Sequence, residues 1–187
     1  MLILAIIPLI PFYFFLKPLR EYASQLIFLG PFLLVTAFFL FLGERFQLRQ
    51  RSPDSFKNAA QDALWIGAMQ SVALIPGISR SAATISTARF LGWDPSEAVR
   101  FSFLLSIPTI LGGNCLELLK LFLFSESPAP FELTSSLIGF LSSLVGGALV
   151  VGPAFSLLEK GRSRPFILYC SLLGIVCLLF FTIKSHG

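Results

Sequence analysis

Charge is scarce in this sequence: Asp, Glu, Lys and Arg make up 13% of its 187 residues, about half their share in an average soluble domain. Histidine occurs once, at His186, beyond the long apolar runs and next to the last residue. The three cysteines, Cys115, Cys170 and Cys177, sit in apolar stretches without CxxC spacing, which excludes a zinc ribbon or a dithiol redox motif and predicts small buried hydrophobes. A secretory leader pattern is missing too. Apolar Met1–Leu16 has no basic residues ahead of it and no small-residue cleavage site behind it, and Pro8 and Pro11 interrupt it, so it reads as part of a spanning helix. The net charge of +4 resides in short hydrophilic links between apolar runs. That placement fits anionic lipid headgroups and predicts no nucleic-acid partner.

What is abundant is hydrocarbon. Hydrophobic residues reach 55% and mean hydropathy is +0.82, so the expected fold is an all-α, polytopic membrane protein forming one membrane domain over residues 1–187. Apolar runs, most of them long enough for about 30 Å of hydrocarbon, predict spans near residues 1–16, 22–42, 98–122, 133–158 and 165–183. The helix over 98–122 opens on Asp94-Pro95-Ser96-Glu97, an N-cap followed by proline at the first helical position. In the 133–158 run, Gly139, Ser143 and Gly147 recur at four-residue spacing, with Ser142 and Gly146 alongside, which predicts a close helix-packing face.

Residues 62–91 behave differently. As one rod they would be about 45 Å long, and Pro76-Gly77 interrupts them near the middle, so the expectation is a re-entrant pair of half-helices. Sidedness tests this. If the pair returns to its starting side, Arg45, Arg49, Arg51, Lys57, Arg89, Arg100, Lys160, Arg162 and Arg164 share one face, against Lys17, Arg20, Lys120 and Lys184. A single crossing would split the basic residues almost evenly, so the positive-inside rule favours re-entry with the nine-residue face cytoplasmic. Glu126 and Glu132 then belong to the outer links.

Ser79, Arg80, Ser81 and Thr84 crowd the start of the second half-helix, directly after the Pro-Gly turn. Such a start offers free amide N–H groups and the positive end of the helix dipole to an anion. Arg80 adds a fork of donors matched to phosphate oxygens, and the hydroxyls add neutral ones. An arginine at bilayer depth costs about 2.5–3.5 kcal/mol without compensation. A phosphate would compensate it; the competing reading pairs Arg80 with Asp62, Glu97 or another carboxylate as a helix pin. Ser86 and Thr87 are expected to bond backbone carbonyls of their own helix.

The run from Gln70 to Thr84, containing Pro76-Gly77-Ile78-Ser79-Arg80-Ser81-Ala82-Ala83-Thr84, and the later Arg100-Phe101-Ser102-Phe103-Leu104-Leu105-Ser106-Ile107-Pro108 resemble the second half of the undecaprenyl-diphosphate phosphatases, the bacitracin-resistance proteins. The resemblance covers the chain from about Met1 to its end in segment order. It implies half of an inverted-repeat architecture in the bacterial plasma (inner) membrane, acting on a polyprenyl diphosphate. The implied reaction turns undecaprenyl diphosphate into the monophosphate and phosphate, recycling the lipid carrier of peptidoglycan synthesis. Carried over by motif, Ser79, Arg80 and Thr84 would hold the diphosphate as the catalytic set. Gly77 and Ser81 would shape the loop and Gln70 would line the pocket. Magnesium is the implied cofactor, yet the Glu-rich motif, serine cluster and histidine of the family's first repeat have no counterpart here. An internal start in a longer protein, a lost first half, or a second chain completing the site would each account for that. Self-association is left open. Two other readings are an inactive remnant that binds polyprenyl phosphate and a small transporter subunit, because broken helices also build transporter sites.

Overall fold

The structure is a computed structural model that describes residues 1–23, 25–46, 56–124 and 133–186. Arg49, Arg51, Glu126 and Glu132, and the side chains of Lys57, Lys184 and His186, lie outside the described residues. The described chain folds into α1 (Leu2–Ile6), α2 (Leu9–Phe15), α3 (Lys17–Ala23), α4 (Leu29–Arg45), α5 (Phe56–Val72), α6 (Arg80–Phe90), α7 (Pro95–Phe124), α8 (Leu133–Glu159) and α9 (Arg164–His186). A single 3-10 turn, Leu26–Phe28, leads into α4. No strand occurs among the described residues. Four stretches are long and apolar enough to cross a membrane, Leu26–Arg45, Pro95–Leu123, Leu133–Glu159 and Arg164–Thr182, and the chain is an all-α, multi-pass membrane protein.

Two expected segments differ in their bounds. The one expected over 22–42 begins at Leu26, because Gln25 adopts an extended conformation with ψ 135° and so interrupts helical hydrogen bonding. The one expected over 1–16 is not a single rod. It divides at Ile7–Pro8, where proline supplies no N–H, and at Leu16 the direction turns by 73° into α3.

Contacts between named residues fix the helix directions. Thr36 meets Ser79 and Gly43 meets Ser86, so α4 and α6 run parallel in constant register. Thr84 meets Ser102, which sets α7 antiparallel to α6. Phe103 stacks edge-on against Phe155 at 5.0 Å and Arg100 pairs with Glu159, so α8 returns along α7. Gly30 abuts Gly174 and Glu44 pairs with Arg164, so α9 runs back along α4. Arg45, Arg89, Arg100, Lys160, Arg162 and Arg164 therefore gather at one end of the bundle. Lys17, Arg20 and Lys120 gather at the other, where Lys120 Nζ donates to Tyr13 Oη at 2.9 Å and Arg20 lies 4.4 Å over the Tyr13 ring.

Close approach between helices depends on glycine, as two crossings show. A Cβ on Gly67 would stand 2.2 Å from the Ala5 carbonyl oxygen, and one on Gly30 would stand 2.9 Å from that of Gly174. The apolar core, built from Ala5, Ala63, Ile66, Ile85, Ala88, Trp93, Val99 and Leu105 among others, lies where α1, α5, α6 and α7 converge. The small-residue face of α8 behaves otherwise: Gly139, Gly146 and Gly147 have nothing within 4 Å of an added Cβ. The expected packing face has no partner among the described residues, since four-residue spacing permits close contact without supplying a neighbour. Cys115 is likewise exposed, and Cys170 and Cys177 are half-buried. In lipid, an apolar thiol has no reason to turn inward.

Candidate functional site

The interruption between α5 and α6 falls at the Pro-Gly pair. Helix α5 ends at Val72 and α6 starts at Arg80, with Ile75, Pro76, Gly77 and Ile78 forming a turn closed by Ile78 N–H donating to the Ile75 carbonyl at 3.2 Å. Gly77 has φ +95°, a left-handed conformation open to glycine at little expense, and its missing side chain makes room for Phe32, whose Cβ would be 2.9 Å from an alanine Cβ there. The two half-helices fold back on each other. At their base, Trp93 Nε1 donates to Asp62 Oδ2 at 2.9 Å, joining a residue near the start of α5 to one just beyond α6.

Thr36 holds the turn from outside, a role that sequence reasoning missed. Its hydroxyl oxygen accepts from the Ser79 amide at 3.0 Å, and its proton goes to the Gly77 carbonyl at 3.3 Å. Thr36 stands midway along Leu26–Arg45, so the turn sits about 15 Å from either end of that apolar stretch at 1.5 Å per residue. Nothing local marks Thr36 in the sequence, where it is one hydroxyl in an apolar run.

Ser79 is the N-cap of α6, and its Oγ accepts from the Ala82 amide at 3.3 Å. Two of the four amides that a helix start leaves open are therefore used: Thr36 takes that of Ser79 and Ser79 takes that of Ala82. The amides of Arg80 and Ser81 have no partner among the described residues. The Ser79 hydroxyl retains its proton as a donor, because capping uses only a lone pair. The Ser81 side chain is exposed and, with Ser79 and Thr36, lines a cavity of about 250 Å³ walled by Phe103, Phe166 and Cys170.

Arg80 is half-buried, and its guanidinium forms no ion pair or hydrogen bond among the described residues. The helix-pin reading loses its first candidate, since Asp62 is bonded to Trp93 instead. Thr84 is not at the surface of this cradle. It is 1% exposed, its Oγ1 donates to the Arg80 carbonyl at 3.0 Å, and it lies 2.7 Å from Ser102 Oγ. That geometry ties α6 to α7. Gln70 is also 1% exposed, and its Nε2 has no hydrogen-bond partner. A buried amide nitrogen left so calls for an acceptor that the described chain does not supply.

A magnesium ion does not fit the residues described. Glu44, Glu159 and Glu117 are paired with Arg164, Arg100 and Lys120, and among the described residues no group of three or more His, Cys, Asp or Glu could hold a metal ion.

What remains is a candidate anion cradle at the tip of a helical hairpin, set at mid-depth in an apolar bundle. A family model described as bacitracin resistance protein BacA matches residues 1–176. The chain is similar to a protein named undecaprenyl-diphosphatase from Protochlamydia amoebophila (strain UWE25), 40% identical over 96% of this chain and 69% of that one. It is also similar to proteins of the same name from Christiangramia forsetii, 33% identical over 85% of this chain and 57% of that one, and from Thermomicrobium roseum, 37% identical over 83% of this chain and 55% of that one. The chain thus spans between about half and just over two thirds of these relatives. Since the match runs through every helix that builds the cradle, the chain belongs to the bacitracin resistance protein BacA family.

Proposed function

We propose that this protein takes part in hydrolysing undecaprenyl diphosphate to undecaprenyl phosphate and inorganic phosphate, in the bacterial plasma membrane. The observation that carries the reading is the unpaired, half-buried Arg80 at the N-terminus of α6, halfway through an apolar bundle. A desolvated guanidinium favours an anion with planar pairs of oxygens, and a diphosphate supplies them. The amides of Arg80 and Ser81 and the hydroxyls of Ser79 and Ser81 complete the donor set around the transferred phosphoryl group.

Hydrolysis adds water to phosphorus and breaks the bridging P–O bond, so charge grows on the bridging oxygen. Fixed donors aimed at that charge lower the barrier without reorganising. The attacking water needs a base, and a metal would sharpen both attack and departure. Any such groups come from outside the described residues, and with them the magnesium ligands that the family resemblance implies. The apolar cavity beside Ser79 and Ser81 suits the first carbons of the polyprenyl chain.

Phosphate release from a polyprenyl diphosphate by the purified chain in detergent tests the reading, with Arg80→Ala as the comparison. Loss of activity by at least about 100-fold is expected, in line with the removal of one preorganised donor group. Equal rates for the two proteins would end the proposal. Retained lipid binding without turnover would reassign the chain to polyprenyl-phosphate binding.

A further inference from the structure

Several hydroxyl-bearing residues of the helices satisfy themselves within their own helix. Ser71 donates to the Gly67 carbonyl at 3.1 Å, Thr87 to Ala83 at 2.7 Å, Thr182 to Leu178 at 2.8 Å, and Thr109 to Leu105. Ser86 does not. It is 1% exposed, and its Oγ has no partner, although the carbonyl one turn back is the usual acceptor.

Ser86 faces a cavity of about 50 Å³ at the basic end of the bundle, between the end of α4, the middle of α6 and the loop before α9. Gly43 opens the space, since a Cβ there would stand 2.8 Å from Ser86 Oγ. Glu44 lines the same cavity, and while its Oε1 accepts from Arg164 Nε at 3.3 Å, its Oε2 is buried without a partner. Two residues from different helices, each with a buried oxygen that lacks a partner, therefore line one small void.

We infer that this void binds a cluster of internal water molecules bridging Ser86 to Glu44. At about 10–15 Å³ per water the space of about 50 Å³ holds about three to five, and buried oxygens without protein partners are what such waters bond. An ion fits worse. Arg89 also lines the void and opposes a cation, while Glu44 opposes an anion.

The cluster stops short of the anion cradle. Leu40, Ile85 and Leu158 line both this void and the larger cavity beside Ser79 and Ser81, so three aliphatic side chains form a common wall between them. Water from the basic end reaches Ser86 and is halted there. This holds whatever anion the cradle takes.

Radiolytic oxidation of the unaltered protein in isotopically labelled water tests the first half. Ile85, buried but beside the void, should take up oxygen several-fold faster than Leu105, which is fully buried; equal labelling of the two would overturn the water cluster. Silver-ion modification of thiols in vesicles tests the wall, with Cys115 and Cys177 changed to serine throughout. Applied from the basic end, silver should modify a Ser86→Cys, Cys170→Ser protein at least 10-fold faster than a protein that keeps Cys170, which lines the far cavity. Ile85→Ala should then raise the Cys170 rate. Similar rates at both positions, or a Cys170 rate unmoved by Ile85→Ala, would refute the partition.

Discussion

Trp93 Nε1 and Asp62 Oδ2 lie 2.9 Å apart in a buried position where α5 sets out and α6 has just returned. The bond closes the open end of the hairpin, and the Trp93 ring also stacks on Phe101 at 5.2 Å, which brings the start of α7 to the same point. Trp93→Phe keeps much of the ring packing but leaves the Asp62 oxygen without that donor. It should lower stability by about 1–3 kcal/mol, the cost of an unsatisfied buried polar group. Thermal unfolding in detergent would read this, and Trp93→Phe combined with Asp62→Leu should recover part of the loss.

Thr36→Val removes a hydroxyl and changes little in shape. The Ser79 amide and the Gly77 carbonyl each lose a partner, so the turn should loosen and phosphate release should fall by about 10-fold or more, the equivalent of one lost net hydrogen bond or two. Thr36→Ser should keep most of the rate. A valine variant with unaltered turnover would show that the clamp does not position the cradle.

Gly77→Ala faces two separate obstacles, a φ of +95° and the Cβ of Phe32 at 2.9 Å. The expected loss is about 1–3 kcal/mol. Phe32→Ala in the same chain should relieve the steric part only, so a double-mutant cycle would return a coupling energy smaller than the whole effect.

Gly67→Ala and Gly146→Ala form a matched pair. The first forces a methyl group against the Ala5 backbone at 2.2 Å and should separate α1 from α5, visible as a lower unfolding temperature. The second adds a methyl group into open space on α8 and should be neutral or stabilising by up to about 1 kcal/mol through helix propensity. Destabilisation by Gly146→Ala would mean that this face of α8 is covered in the membrane.

The parts of the site readable in advance are those governed by neighbours in sequence. The Pro76-Gly77 dipeptide is a turn signal carried by adjacent residues, so the turn there was apparent, and a serine at a helix start caps it, as Ser79 does. Thr36 was hidden because its partners Gly77 and Ser79 lie more than forty residues away, and no local pattern announces such a pairing. Thr84 shows the converse. Its place in the motif suggested a ligand, whereas its position one turn into α6 directs it to Ser102 on α7. The start of the Leu26–Arg45 stretch depended on Gln25 adopting an extended backbone, which hydropathy averages away. For α8, sequence displayed a surface suited to contact but could not name what meets it.

The parallel pairing of α4 with α6 has a mechanical meaning. Thr36 with Ser79 and Gly43 with Ser86 are offset by the same number of positions, so the first helix acts as a ruler laid along the second. Sliding either by one turn, about 5.4 Å, would strip the turn of its clamp and drive a side chain into the Gly43 notch together. The depth of the Pro76-Gly77 tip is thereby locked to the span beside it, and Arg80 is held at a fixed level in the bilayer.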